Sequence, residues 1–248
     1  MGSVGARMLQ TALAPTTSVV SGDNLVIDKP RFVGRTKRGD QIIVTADSAT
    51  RSRTLQEGKI TLINPKLQTS DGSRAKGKAG IWSQGDQSLS LEGDVELTRT
   101  GGDRATSTNA VWTTADAHLM MSGAVNLSRS GGTRATSNSA IWLTDLGLLD
   151  LMGDVTINLP TGESASALSA RLDERRGDIR LEGQALVRFA SGQANSARAF
   201  YSSATGLLSG DGGVIITSSF GNGRAQRYVY EMRTNRLKLS GDAQATLK

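Results

Sequence analysis

The sequence predicts an all-β protein, a bent antiparallel β-jelly-roll assembled from two-strand repeats of about 30 residues. Three observations point there. Gly93, Gly123, Gly153, Gly183, Gly212 and Gly241 stand 30, 30, 30, 29 and 29 residues apart. The first four share one pattern, apolar-x-apolar-x-Gly-x-apolar-x-apolar, which reads Leu89, Leu91, Gly93, Val95, Leu97 in the first copy and Ile179, Leu181, Gly183, Ala185, Val187 in the fourth. All three tryptophans, Trp82, Trp112 and Trp142, keep the same period, and Leu172, Tyr201 and Tyr230 continue it. A fixed period of this length implies a stack of equivalent units, each burying its apolar face against its neighbours.

From the N-terminus, residues 1–22 read as a disordered or trimmed segment and 23–248 as a single elongated domain. Ala12-Leu13-Ala14 resembles a signal-peptidase site, but no apolar run precedes it and Pro15 follows. The expectation is a chain that begins after a removed anchor or signal peptide, with a natively soluble chain as the alternative. No stretch approaches the ~20 apolar residues of a membrane helix. Leu25 to Phe32 and Ile60 to Leu67 read as the first strands, with Pro30 and Pro65 in comparable places. Proline cannot donate to a ladder, so both are expected at or near an edge. Asn64, 29 residues before Gly93, is placed where the corner glycine belongs.

The unit from Ser88 to Ala117 shows how a repeat is built. Leu89, Leu91, Val95 and Leu97 alternate with polar residues, the period of a half-buried strand. Gly93 falls on the apolar phase and marks a bend. Thr100-Gly101-Gly102 turns the chain into a second strand, Arg104 to Trp112, with Ala110 and Trp112 inward. Thr114 to Ala117 turns it again. In the fifth copy either Gly210 or Gly212 fits the corner. A strand folded at its glycine contributes to two facing layers, which gives a sandwich open at a crevice. No segment sustains the apolar spacing of a helix.

Composition narrows the function. The hydrophobic fraction is 37%, below the roughly 45–50% usual for globular chains, as thin β layers with many turns require. The chain has no cysteine, so disulfides and thiolate metal sites are out of reach. Residues 1–80 carry 13 Lys/Arg against 6 Asp/Glu, and the remainder 16 against 17. Lys29, Arg31, Arg35, Lys37 and Arg38 therefore form a candidate anion-facing surface for lipid phosphates or a membrane, with a plain solvated face as the alternative. Nucleic acid is not expected, since only Phe32 interleaves these charges.

Motifs for catalysis fail on inspection. Gly72 to Ala79 nearly matches a phosphate-binding loop, but Ala79 replaces the hydroxyl and a repeat strand follows instead of a helix. His118 is the lone histidine, read as a turn residue. The column after the glycines reads Asp94, Ala124, Asp154, Gln184, too irregular for paired carboxylates. Ser209-Gly210-Asp211-Gly212-Gly213 is a single copy of what a calcium-binding roll repeats in tandem. The reading is a non-enzyme with no cofactor and no metal. What remains is the inward ladder Leu89, Leu91, Val95, Leu119, Met121, Val125, Leu149, Leu151, Val155 and Ile157, a candidate lipid groove suited to acyl chains. The plain alternative is a core that any sandwich buries, in a self-stacking structural β-scaffold. A lectin would need exposed aromatics, whereas the tryptophans share a phase with Gly80, Ala110 and Ala140.

Asp28-Lys29-Pro30-Arg31-Phe32-Val33-Gly34-Arg35, followed by Gln41-Ile42-Ile43-Val44-Thr45-Ala46-Asp47-Ser48-Ala49, resembles the opening of the periplasmic domain of the LptC family. The copies with Leu89 to Leu97 and Arg104-Ala105-Thr106 resemble the OstA-like repeats shared by LptC, LptA and the N-terminal domain of LptD. The resemblance covers the chain from about residue 23. It implies a bent jelly-roll that carries lipopolysaccharide from an inner-membrane ABC transporter across the periplasm, in outer-membrane biogenesis, with acyl chains inside. It also implies edge-to-edge joining, the N-terminal edge to the transporter and the C-terminal edge to an LptA-like partner, and tethering to the inner membrane by an N-terminal segment. The array is longer than a typical LptC domain, so a protein that spans the LptC and LptA roles stays open.

Overall fold

The computed structural model describes residues 18–21, 24–35, 40–52, 58–113 and 118–247. Lys37, Arg38, the Thr114 to Ala117 turn and the Ala12-Leu13-Ala14 motif lie outside the described residues. Every regular element among those described is a strand, and the paired strands run antiparallel. The all-β expectation is met. The chain divides into two compact units, Met1–Val125 and Asn126–Lys248.

The first unit holds β1 (Ser18–Ser21), β2 (Asn24–Asp28), β3 (Arg31–Arg35), β4 (Gln41–Thr45), β5 (Ser48–Ser52), β6 (Lys59–Ile63), β7 (Lys66–Thr69), β8 (Arg74–Lys76), β9 (Ala79–Ser83), β10 (Ser88–Thr98) and β11 (Arg104–Thr113). Short corners at Lys29-Pro30, Ala46-Asp47, Asn64-Pro65 and Gly77-Lys78 break what would be long strands. The pieces sort into two half-sheets. One runs β1, β2, β5, β6, β9 and the first half of β10. The other runs β3, β4, β7, β8 and the second half of β10. β11 then pairs along both halves of β10.

Within β12 (His118–Ser128) the chain passes into the second unit. That unit holds β13 (Arg134–Leu143), β14 (Leu148–Asn158), β15 (Ser164–Asp173), β16 (Asp178–Phe189), β17 (Gly192–Ser202), β18 (Leu207–Ser218), β19 (Gly221–Glu231), β20 (Arg236–Ser240) and β21 (Gln244–Leu247). From β13 to β19 each strand pairs with the next. β20 and β21 then take the two halves of β19.

The corner is built differently from a fold at a single glycine on the apolar phase. Gly93 and Asp94 together oppose the single residue Thr108, a β-bulge, and both adopt left-handed backbone at φ 71° and 48°. Buried positions run 89, 91, 95 on β10 but 105, 107, 110 on β11, so the bulge absorbs the extra residue. At the bend on the second strand, Ser107, Ser137 and Ser196 are buried. Each donates its hydroxyl to the carbonyl two residues on, at 2.8, 2.9 and 2.9 Å. These bonds satisfy acceptors that the broken ladder leaves over.

The structure corrects some sequence expectations and decides others that were open. Asn64 has φ 50° and stands 30 residues before Asp94, so it fills the slot after the glycine, not the glycine's own. In the fifth copy Gly212 and Gly213 form the left-handed pair, while Gly210 leaves room for the ring of Tyr228 packed over it. Pro65 is not at an edge: β6 and β7 are paired on both sides, and the proline sits buried in the corner, where no ladder N–H is required. Leu25 to Ile27 is likewise flanked on both sides, by β1 and β5. At the N-terminal end of the array it is β1 and β3 that leave an open side among the described residues, each having one partner. Strand structure also reaches Ser18–Ser21, ahead of residue 23.

Candidate functional site

In each unit the interior is the space between the two half-sheets, and the repeat columns point into it. Of the expected ladder, Leu89, Leu91, Val95, Leu119, Met121 and Val125 are buried in the first unit, and Leu149, Leu151, Val155 and Ile157 in the second. The tryptophan column is inward too: Trp82, Trp142, Leu172 and Tyr230 are buried, and Trp112 and Tyr201 half-buried. Most of this ladder is packed core.

Two narrow apolar spaces open between the half-sheets. In the first unit Phe32, Gly34, Ile42, Val44 and Leu67 of one half-sheet face Trp82 and Trp112 of the other across a cavity of about 20 Å³. In the second, Ile157, Ala165 and Val187 face Ile179, Leu181, Tyr201 and Leu208 across one of about 30 Å³, also lined by Leu159, Glu163, Ser164 and Met232. Ile157 alone of the ten ladder residues lines either cavity. Phe32, Ile42, Val44 and Leu67 went unmarked, although the alternation of Ile42 and Val44 was a usable signal.

The polar groups around these cavities are few. The Trp142 indole N–H donates to Glu174 Oε2 at 3.2 Å, and Arg129 approaches the other Glu174 oxygen at 3.9 Å. Phe189 stacks on Tyr230 at 4.5 Å between centroids, tying the two half-sheets together. Burial, and after it the Glu163 carboxylate, hold the Tyr230 hydroxyl above its ordinary pKa, and that hydroxyl donates to Asn235 Oδ1 at 2.7 Å. Trp82 Nε1 and Glu163 Oε2 are buried with no hydrogen-bond partner among the described residues.

Lys29, Arg31 and Arg35 are exposed. Phe32 and Gly34 line the cavity, so the alternation along β3 turns Arg31 and Arg35 to the opposite face. Elsewhere on the outside, Glu96 lies between Lys76 at 2.9 Å and Arg104 at 3.1 Å, and the Lys76 contact chiefly, then Arg104, keeps its carboxyl below the usual range. Arg171 grips Asp150 through two bonds of 2.6 and 2.8 Å. The near phosphate-loop Gly72 to Ala79 is a turn and β8, with Asp71 accepting from Ser73 N and Oγ at 3.1 and 3.0 Å. His118 is the exposed first residue of β12. Among the described residues no three His, Asp or Glu side chains group to hold a metal.

Fold and site define the class: a two-layered antiparallel β protein whose half-sheets enclose an apolar interior. No protein-family model matches the chain, and no curated protein does. Among solved structures it is similar to LptH from Pseudomonas aeruginosa, described as the LptA homologous periplasmic component of the conserved lipopolysaccharide transport device. The identity is 11% and the TM-score 0.44, over 48% of this chain and 97% of that one.

Proposed function

We propose that this protein is a lipopolysaccharide carrier of the LptC and LptA kind. It accepts lipopolysaccharide from an inner-membrane ABC transporter and passes it across the periplasm, with acyl chains between the half-sheets and no chemical step of its own. The single observation that supports this reading is the pair of apolar cavities, each walled by opposite half-sheets, in a chain whose N-terminal residues resemble the LptC opening. Both cavities are narrow, so an acyl chain enters by parting the half-sheets. The period of 29 or 30 residues from Asn64 to Gly241 supports reading 23–248 as one array. The exposed Lys29, Arg31 and Arg35 suit lipid phosphates at the transporter end, and Lys37 and Arg38 of the same basic stretch lie outside the described residues.

Assembly follows from the edges. Among the described residues β20 and β21 pair only with β19, and unpaired ladder groups at an edge take on a further strand. An LptA-like partner would dock there and the transporter at β1 and β3, with tethering through the N-terminal segment. A self-stacking β-scaffold is the second reading, favoured by how fully Leu151, Ala185 and Ala194 are packed, each at 0% exposure.

Photo-crosslinking separates the two. Probes at inward Met121 and Ile157 are expected to capture lipopolysaccharide in the envelope, and probes at outward Glu96 and Asn126 are not, because successive side chains face opposite sides of a sheet. Capture that ignores this alternation would favour the scaffold.

A further inference from the structure

We propose that Trp82 is a polar anchor for an acyl carbonyl: its indole N–H donates to the ester or amide oxygen at the head of a chain lying in the first unit's cavity. This rests on the acyl-chain reading above and goes beyond it by assigning an atom-level contact. Trp82 stands on β9 between Ile60 of β6 and Leu89 of β10 and is 7% exposed. Its Nε1 has no partner among the described residues. Leaving a buried N–H unpaired is costly, so a site that keeps one is built for an arriving acceptor.

The walls select which acceptor. Phe32, Gly34, Ile42, Val44 and Leu67 offer no polar side-chain atom, and the two indoles are donors only. The room is little more than one water molecule needs, but a water there would find no side-chain acceptor among the described lining residues for its own hydrogens, whereas buried waters usually make about three bonds. A phosphate or sugar would be stripped of its hydration by apolar walls. A carbonyl on an acyl chain brings an acceptor, asks for nothing in return and carries its own apolar body. The repeat does not impose this vacancy: at the same repeat position 60 residues on, Trp142 gives its N–H to Glu174.

The test uses a phospholipid with ester-linked chains and its ether-linked analogue of equal chain length, with indole-¹⁵N-labelled protein. Wild type is expected to bind the ester about five- to tenfold more tightly than the ether, the scale of one net hydrogen bond. The Trp82 indole resonance, assigned by its absence in Trp82→Phe, should move on binding the ester alone. Trp82→Phe keeps an aromatic ring without the N–H, so it should still bind the ether and lose the preference for the ester. Trp142→Phe should keep that preference. Equal affinities in wild type with an unmoved resonance overturn the anchor and leave the carrier reading standing. Failure of both lipids to bind overturns the anchor as well, and the carrier reading then stands or falls on lipopolysaccharide capture at Met121 and Ile157.

Discussion

Replacing Val155 by aspartate is expected to destabilise the protein by on the order of 4 kcal/mol, the largest effect of any single change considered. Val155 is 1% exposed, follows the Gly153-Asp154 bulge and pairs with Ala167 of β15. Its partner Ala167 and the buried residues at the same repeat position, Ala185 and Val214, are apolar, so the carboxylate would either stay charged in apolar surroundings or take up a proton well above its usual pKa. The lost apolar burial adds about 1.5–3 kcal/mol for a side chain of this kind. Asn158→Asp, on the exposed side of the same strand, should stay within about 0.5 kcal/mol. Urea titration of both variants reads the difference. A small effect at Val155 would show that the inward phase of β14 is misassigned.

Gly123→Val is expected to cost about 2–3 kcal/mol, where Ser122→Val next to it costs little or stabilises. Two causes add at Gly123. Its φ of 79° is left-handed, which a β-branched residue avoids. A Cβ there would also stand 2.6 Å from Thr108 Oγ1 and 2.7 Å from Thr108 Cβ, and Thr108 is held by its own bond to the Gly123 carbonyl at 3.1 Å. Ser122 is exposed on an extended strand, where valine is favoured. Thermal melts of the two variants decide it. Equal tolerance would mean the repeated glycines are incidental and the corner is set by other contacts.

The strands were legible because two signals with different physics agreed: alternation along Leu89 to Leu97 and a glycine recurring every 29 or 30 residues. The burial of the ten ladder residues follows from that phase. The construction of the corner was not legible. Its second left-handed residue is Asp94, Ala124, Asp154 or Gln184, side chains with no shared preference, because the flanking ladders hold the backbone there whatever the residue. The slip on the partner strand hid for a related reason. Ser107, Ser137 and Ser196 look like ordinary polar positions until their hydroxyls are seen closing the bend. The cavity of the first unit escaped notice because its copies lack the glycine and their spacing stretches to 35 residues between the left-handed Lys29 and Asn64. Phe32, Ile42, Val44 and Leu67 thus fell outside the period that identified the rest.

The central claim is that lipopolysaccharide occupies this interior. Native mass spectrometry of the protein, drawn gently from a Gram-negative envelope, tests it most directly. The account predicts a population carrying the added mass of lipopolysaccharide, lost when an inward residue such as Met121 is replaced by a charged one that still folds. Protein that emerges bare from lipopolysaccharide-replete envelopes, in assemblies of chains alone, would contradict it.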